Sequence, residues 1–364
     1  MIAPHHAGAQ ADYARALAIL GDTKAAQALL ENLLERTDVP EGLRVQLQAW
    51  QQRLGESEIS SKWQTKGSLG WRFGHDTNLS SAPSSSSLDL TMPDGIVTLP
   101  LASGSRSGAA TLLEANLQAG RNLPSGGRLQ LLADLRSRQS SAVSETNYLQ
   151  YEASAVLTLP AERTSGISPP AANQISLGLG RLDYGSLQLY ETGHLGLARF
   201  FQAGSCLAGG SFEAGVRHYR VTPILDSRFA GAGANLRCPL GSGRIGFVGR
   251  LGIEKAKDPL RPGGDQHRWD MQFTYSHPMG KGRLNTEINL GRQQDRASYS
   301  ELLADGALRS TQRIGFRAEW VRPVTRQIDA IVVFETNRQN SNLSLFEIQS
   351  SALWLGARWN FGDK

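Results

Sequence analysis

The sequence predicts a mostly β protein: a transmembrane antiparallel β-barrel of about fourteen strands, preceded by a small α-helical segment. Three observations predict it. From about residue 62 onward, apolar and polar residues alternate over stretches of roughly 10 to 14 residues. Charged and amide side chains recur in the middle of these stretches, and short connections alternate with long ones. Strands of a soluble β-sandwich also alternate, but they are about five or six residues long. The greater length of the strands predicted for this chain favours a barrel with a water-filled lumen.

Composition narrows the classes of protein further. The chain has 364 residues, a formal charge of +5, 39 glycines and 40% hydrophobic residues. It has no stretch of about 18 apolar residues, so we expect no transmembrane helix. No Lys/Arg run is dense enough to indicate a nucleic-acid partner. The opening "MIAPHHAGAQ" lacks the features of a signal peptide, so an exported form of this sequence would already be processed.

The N-terminal region has helical periodicity. Residues 11–55 are rich in Ala, Leu, Gln, Glu and Arg, with apolar residues such as Leu29 and Leu33 at helical spacing. "GDTKAA" and "TDVPEG" each end one helix and begin another. The pattern resembles about one and a half tetratricopeptide repeats (TPR), with a plain helical hairpin as the alternative. We expect residues 1–60 to form a periplasmic TPR-like segment and 61–364 to form an outer-membrane β-barrel.

The strands follow from the alternation. In "RLQLLADLR", for example, Leu129 and Leu131 share one face, while Asp134 and Arg136 share the other. The predicted strands are 63–76, 109–122, 128–139, 146–159, 174–183, 190–203, 210–221, 228–238, 244–255, 268–277, 283–294, 312–322, 327–337 and 347–361.

The connections fall into two classes, short and long. An outer-membrane barrel has short turns at its periplasmic rim and long loops at its extracellular rim. The short ones are 123–127, 205–210, 239–243, 278–282 and 323–326, with an unusually long turn at 160–173. The longer ones are 77–108, 139–146, 183–190, 222–227, 256–267, 294–311 and 337–346. The Ser-rich stretch 77–108 either plugs the lumen or contacts a client outside, and the sequence leaves both open.

Charged residues on the polar face are predicted to line the lumen and keep it hydrated. They are Arg72, Asp134, Arg136, Glu213, Arg217, Arg250, Glu254, Asp270, Glu287, Arg317, Glu319, Asp329 and Glu335. For each, the alternative role is a salt bridge that only stabilises the barrel. Their mixed sign argues against strong ion selectivity. Few aromatic residues are expected in the lumen, with Tyr219 and Trp354 as candidates.

The two cysteines are predicted to form a disulfide. Cys206 precedes the strand 210–221, and Cys238 ends the next strand, so antiparallel pairing brings both to one rim. The periplasm is oxidising, which permits the bond. The alternative is two free thiols on different faces. Two cysteines alone cannot make a metal cluster, and the sequence predicts neither a metal nor any other cofactor.

The C-terminal strand ends in aromatic residues that suit a membrane interface. Gly356-x-x-Trp359-x-Phe361 resembles the C-terminal signal read by the barrel assembly machinery, which we expect as a partner along with outer-membrane lipids. In that signal the aromatic residue is usually the last one, whereas three residues follow Phe361 here.

Two stretches carry a family resemblance. "GHDTNLSSAP" (74–83), with His75, Asp76 and Asn78, follows the first strand, and "RQNSNLSLFEIQSSALWLGARWNF" (338–361) ends the barrel. Together with the TPR-like segment, they make the chain similar to the surface lipoprotein assembly modifiers (Slam), translocons of a proposed type XI secretion system. The resemblance implies a monomeric translocon that moves client lipoproteins or secreted proteins from the periplasm to the cell surface.

The sequence leaves two other functions to consider. An exopolysaccharide-export porin of the TPR-plus-barrel type is the alternative, although it would call for more lumen aromatics and usually has a larger barrel. A barrel-embedded enzyme would need a Ser/His or Asp/His site, for which His75 with Asp76, or His218, are the candidates. Asp76 and Asn78 are better explained by a turn, and no Gly-x-Ser-x-Gly motif occurs. The sequence therefore predicts no enzyme.

Overall fold

The structure is a computed structural model, and it describes most of the chain. The described residues are 10–14, 17, 23–36, 39, 43–51, 62–101, 104–124, 126–160 and 171–362. The predicted segment 1–60 is thus covered only in part, and the centre of the predicted turn 160–173 lies outside the described residues. The chain divides into two compact units, one comprising residues up to Gln64 with 121–126, the other 65–120 and residues from 127 onward.

The N-terminal unit is helical. Helix Thr23–Glu35 is accompanied by helical residues at 10–14, 17 and 43–51. Apolar side chains at helical spacing pack into one buried cluster, which comprises Ala14, Ala26, Leu30, Leu33, Val39 and Leu47. No helix among the described residues is long and apolar enough to cross a membrane.

The second unit is a closed antiparallel barrel, as predicted. Its strands and one extra hairpin are β1 (Gln64–Asp76), β2 (Ser87–Met92), β3 (Gly95–Pro100), β4 (Gly108–Asn122), β5 (Arg128–Gln139), β6 (Tyr148–Pro160), β7 (Ala171–Tyr184), β8 (Leu187–Ala203), β9 (Cys206–Tyr219), β10 (Ser227–Leu240), β11 (Gly243–Ala256), β12 (Gln266–Met279), β13 (Gly282–Ser298), β14 (Leu308–Pro323), β15 (Ile328–Ser341) and β16 (Ile348–Gly362). The order around the barrel is β1, β16 and down to β4, while β2 and β3 pair only with each other. The prediction of fourteen barrel strands is confirmed.

Alternation along each strand separates an apolar outside from a polar inside. On β1, Trp71 and Phe73 are 61% and 58% exposed, whereas Arg72 between them is 1% exposed. On β16, Leu353 and Leu355 are similarly exposed, and Trp354 is buried. A closed barrel leaves no unpaired strand edge and offers lipid a continuous apolar surface, which is how strands span a membrane.

The two ends of the barrel differ. We call the end where β1 begins and β16 ends the terminal rim, and the opposite end the loop rim. Tight turns at 204–205, 241–242 and 280–281 join strands at the terminal rim. The loop rim carries longer connections, with one exception: the loop predicted at 183–190 is a two-residue turn at Gly185, whose φ of 62° suits glycine. The prediction of a long loop there was wrong, because β7 and β8 continue their pairing to the turn.

The predicted disulfide joins β9 to β10. Cys206 and Cys238 are bonded, with their Cα atoms 4.3 Å apart. The register places them directly opposite each other, one step beyond the Leu207–Arg237 pair. This close spacing suits a non-hydrogen-bonded antiparallel pair. The bond therefore lies at the terminal rim, at the start of β9 rather than in a turn before it.

Candidate functional site in the barrel lumen

The lumen is lined by the polar face of every barrel strand. The register sets Arg72 opposite Gly356, Arg250 opposite Asp270 and Glu287 opposite Arg317, all on the inward face. The same register and alternation place all thirteen of the charged residues predicted to line the lumen on this inward face. The lumen is therefore the region in which the sequence concentrates its buried charge.

One group of ion pairs centres on Arg72. Its Nη2 atom lies 2.5 Å from Glu114 Oε2 and 3.6 Å from Glu319 Oε2. Arg358 Nη2 lies 2.9 Å from the other oxygen of Glu319. Because β16 and β15 separate β1 from β14 in the wall, the contact between Arg72 and Glu319 bridges two intervening strands. These inward side chains therefore tie together strands that share no backbone hydrogen bonds.

The same network extends around the wall in both directions. Arg317 pairs with Glu335 and lies 2.7 Å from Glu319. Arg136 Nε lies 3.7 Å from Glu114, and its Nη2 lies 3.9 Å from Glu335. Charge is almost balanced here, with four arginines against three glutamates, so the network holds the wall without attracting one sign of ion strongly.

A second network occupies the opposite arc of the lumen. The carboxylate of Glu254, which is 3% exposed, lies 2.9 Å from Arg261 and 3.4 Å from Arg268. Arg217 approaches Glu254 at 3.9 Å, and Arg268 also pairs with Asp270 at 3.4 Å. Arg261 belongs to the loop between β11 and β12, so this network fastens a loop-rim connection to the wall.

The remaining predicted residues have smaller partners. Arg250 lies 3.4 Å from Glu213. Three carboxylates accept hydrogen bonds from asparagine side chains: Asp134 from Asn116 at 2.6 Å, Glu287 from Asn289 at 2.5 Å and Asp329 from Asn360 at 2.8 Å. These groups lie in wet parts of the lumen, where an amide partner suffices.

The lumen is also occupied by part of the chain. The segment 77–82, which we call the inserted segment, turns inward from the end of β1. Leu79 is completely buried in an apolar cluster inside the barrel. The cluster contains Leu79, Ala110, Leu112, Val143, Ile331, Val333, Ala352 and Trp354. Of the two roles left open for stretch 77–108, the structure thus supports occupation of the lumen by its first residues.

Polar contacts fix the inserted segment in place. Asn78 donates from Nδ2 to the carbonyls of Ala82 and Gln349, each at 3.0 Å, and its N–H donates to Asp76 Oδ1 at 2.8 Å. Arg138 donates to Asp76 Oδ2 at 3.3 Å and to the carbonyl of Leu79 at 2.7 Å. Asp76 and Asn78 therefore shape the turn, as the sequence suggested.

His75 takes no part in this arrangement. It is exposed on the outward face of β1, where it lies opposite Leu353, whereas Asp76 is buried on the inward face. The barrel wall thus separates the two residues considered as an Asp/His site. The other candidate, His218, contacts Asp226 with its Nδ1 atom 2.6 Å from Oδ2.

Asp226 anchors a loop at the loop rim. Its Oδ1 atom accepts a hydrogen bond from the N–H of Tyr219 at 2.7 Å, and Lys257 Nζ lies 3.4 Å from Oδ2. Partial burial raises its pKa, but the hydrogen bonds from Tyr219 and His218 outweigh that effect, and the pKa of Asp226 lies below its ordinary value. These contacts join the end of β9 and two loops at one carboxylate, which indicates a structural role for His218.

Among the cavities that remain in the lumen, two exceed 500 Å³. One, of 530 Å³, lies towards the terminal rim and is lined by residues such as Arg237, Arg244 and Ser276. The other, of 630 Å³, runs from Ser81 of the inserted segment to residues such as Arg250 on the far wall. Both have mixed polar and apolar linings and are of a size that holds water or a small ligand.

More aromatic residues face the lumen than the sequence suggested. Tyr148, Tyr190 and Phe229 lie on the inward face, in addition to Tyr219 and Trp354. Each of the three has an arginine guanidinium over its ring: Arg138 at 5.0 Å from Tyr148, Arg217 at 5.2 Å from Tyr190 and Arg268 at 5.0 Å from Phe229. The arginines that pair with carboxylates in the lumen thus also hold its aromatic rings.

Several functional residues were missed at the level of sequence. Glu114, Arg138 and Arg268 belong to the networks but were not among the thirteen predicted. Arg138 and Arg268 each lie two residues from a predicted residue on the same strand, Arg136 and Asp270, so alternation alone could have found them, whereas no predicted lumen residue lies on the strand of Glu114. Among the described residues, no group of three or more His, Cys, Asp or Glu side chains could hold a metal ion.

No protein-family model and no curated protein sequence matches the chain. Among solved structures, the barrel is similar to an anion-selective porin from Comamonas acidovorans (9% identity, 82% of this chain and 99% of that chain, TM-score 0.40). It is similar to OmpT of Vibrio cholerae (9%, 81% and 98%, TM-score 0.41). It is also similar to OccK5 (OpdH) of Pseudomonas aeruginosa (12%, 83% and 99%, TM-score 0.39). Identities this low carry no information on substrate.

Proposed function

We propose that this chain is a bacterial outer-membrane transport barrel that moves client proteins from the periplasm to the cell surface. The closed barrel with an apolar exterior and a polar, charge-lined lumen supports the membrane part of the proposal. Both chain ends of the barrel meet at the rim with the tight turns, which is the periplasmic rim in outer-membrane barrels. The terminal rim accordingly faces the periplasm.

The inserted segment is the observation that carries the transport role. It narrows the lumen, yet it is held by one buried leucine and a small set of hydrogen bonds rather than by strand pairing. Displacement would leave the barrel wall closed, because the wall has its own complete backbone hydrogen-bond ladders. A segment that can leave the lumen while the barrel stays closed is the arrangement expected of a gated channel.

The resemblance to the Slam family supports a protein cargo. In that reading the N-terminal helical residues receive a client in the periplasm before it enters the lumen. The lumen charges keep the path hydrated, and their pairing into networks keeps the wall from holding the client tightly. The paired cysteines stabilise the periplasmic rim.

Export of a polysaccharide is the second candidate, and one observation favours it. Sugars bind well to aromatic faces, and three inward aromatic residues lie along the lumen, each stacked with an arginine. Those rings are partly covered by the guanidinium groups, which leaves less of each face for a sugar. We therefore rank this candidate below the protein translocon.

One experiment separates the candidates. The chain is expressed with and without residues 1–60, beside a candidate client encoded nearby, and intact cells are treated with protease. Client exposure that depends on the chain, and is reduced by the deletion, supports the protein translocon. Unchanged exposure of every client together with loss of surface polysaccharide would reject it in favour of the second candidate.

A further inference from the structure

A patch of basic side chains faces outward near the loop rim, away from the lumen. Arg228 on β10, Lys255 on β11, His267 on β12 and Arg292 on β13 are all exposed. Arg228 lies directly opposite Lys255. Trp269 lies opposite Arg292, and His267 is two residues closer than Trp269 to the loop rim on the same strand. Each alternates with an inward residue, so all four project from the lipid-facing side of four consecutive strands.

The patch has no anionic partner within the described part of the chain. None of the four side chains takes part in an ion pair or a side-chain hydrogen bond there. By contrast, the inward residues on the same strands, such as Glu254 and Arg268, are paired at 3.4 Å. Like charges directly opposite each other, as in Arg228 and Lys255, destabilise a strand pair. The positive charges of Arg228 and Lys255 are therefore not balanced by any described side chain, and a bound anion would relieve their repulsion.

An apolar groove lies beside the patch on the membrane side. A cavity of 410 Å³ on the outer surface is lined by Leu251, Ile253 and Trp269 and also by His267 and Arg292. Along β11, Leu251 and Ile253 lead toward Lys255 and the loop rim. The register places Arg228 and Lys255 on the loop-rim side of these apolar residues, while His267 and Arg292 flank them on the next two strands. Basic groups above and beside an apolar groove suit a lipid whose charged headgroup lies nearer the rim than its acyl chain.

We propose that this patch binds a lipid with a multiply phosphorylated headgroup, with an acyl chain lying in the groove. Neighbouring strands are about 4.8 Å apart, so four strands spread the cations over roughly 14 Å, more than one phosphate spans. Two phosphates on one lipid headgroup fit that spread, and guanidinium groups recognise phosphate oxygens in pairs. The inference rests on the proposed outer-membrane location, in which the loop rim faces the outer leaflet.

The test is native mass spectrometry of the full chain released from phosphatidylcholine nanodiscs that contain diphosphoryl lipid A or its dephosphorylated form. We expect a bound diphosphoryl lipid, at least about tenfold less of it with the double variant Lys255→Gln/Arg292→Gln, and a smaller loss with Arg292→Lys, which keeps the charge but not the paired donors. Arg322→Gln is the matched control, because Arg322 is an exposed outward residue on β14 at the terminal rim.

Several outcomes would overturn the inference. Equal retention by the double variant, equal retention of the dephosphorylated lipid, or an equal loss in Arg322→Gln would each do so. Inorganic phosphate that displaces the lipid completely at millimolar concentration would point to a free-anion site instead. Insertion is checked by the gel shift on heating. A wild-type chain that fails to insert refutes the membrane function and this inference with it, whereas an inserted barrel with unchanged binding refutes the inference alone.

Discussion

Replacement of Leu79 by alanine tests whether the inserted segment closes the lumen. The side chain is completely buried against residues such as Leu112 and Ile331, which belong to hydrogen-bonded strands and cannot collapse into the vacated space. Leu→Ala at such sites costs about 2–5 kcal/mol, and we take about 3 kcal/mol here. Because roughly 1.4 kcal/mol is a tenfold change in an equilibrium constant, the displaced form should become about 100-fold more populated.

The measurement is single-channel recording of the full chain in planar bilayers. We expect Leu79→Ala to visit a larger conductance level far more often than the parent chain. Leu99→Ala is the matched control, because Leu99 belongs to the same long stretch but is 43% exposed on the hairpin. An unchanged conductance histogram for Leu79→Ala, or an equal change in Leu99→Ala, would refute the idea that this segment gates the lumen.

Three further predictions concern stability. Arg72→Met removes a buried guanidinium and leaves Glu114 with Arg136 at 3.7 Å, so it should cost about 1–3 kcal/mol. The loss is measured as a lower temperature for the heat-induced gel shift, which Arg106→Met, at an exposed pair, should leave unchanged. Cys206→Ser opens a link across 32 residues and should cost roughly 3–4 kcal/mol in the same assay. The lowered pKa of Asp226 stabilises its loop above the ordinary carboxyl pKa, and this contribution is lost as the pH falls through the lowered value. Protease cleavage of loop 220–226 should rise over that acidic range, and Asp226→Asn should abolish the pH dependence.

Strand positions could be predicted from sequence because a barrel imposes one strict rule. Every strand residue faces either lipid or lumen. The outward position of Trp71 and the inward position of Arg72 can therefore be predicted from alternation alone, before any contact is known. The disulfide followed from the same rule, since antiparallel neighbours bring Cys206 and Cys238 to one rim. Strand count, lumen face and cysteine pairing all depend only on local alternation and on the order of strands.

Contacts between distant parts of the chain could not be predicted in this way. Nothing near Leu79 in the sequence indicates that it turns into the lumen, because the wall that buries it comes from β4, β15 and β16. The hairpin β2–β3 is different, because Asp94-Gly95 between alternating apolar stretches is a strong turn signal in the sequence itself. Pairing partners of the lumen charges depend on strand tilt and side-chain length, which alternation does not specify.

The wall that receives the inserted segment has a consequence for biogenesis. Asn78 bonds to the carbonyl of Gln349, 271 residues later, and Leu79 packs on Val333 and Trp354. The wall that buries Leu79 includes β15 and β16, so the segment can take its place only after these strands have joined the barrel. An unfinished barrel is therefore also an unobstructed one, and seating of Leu79 marks the moment at which assembly is complete.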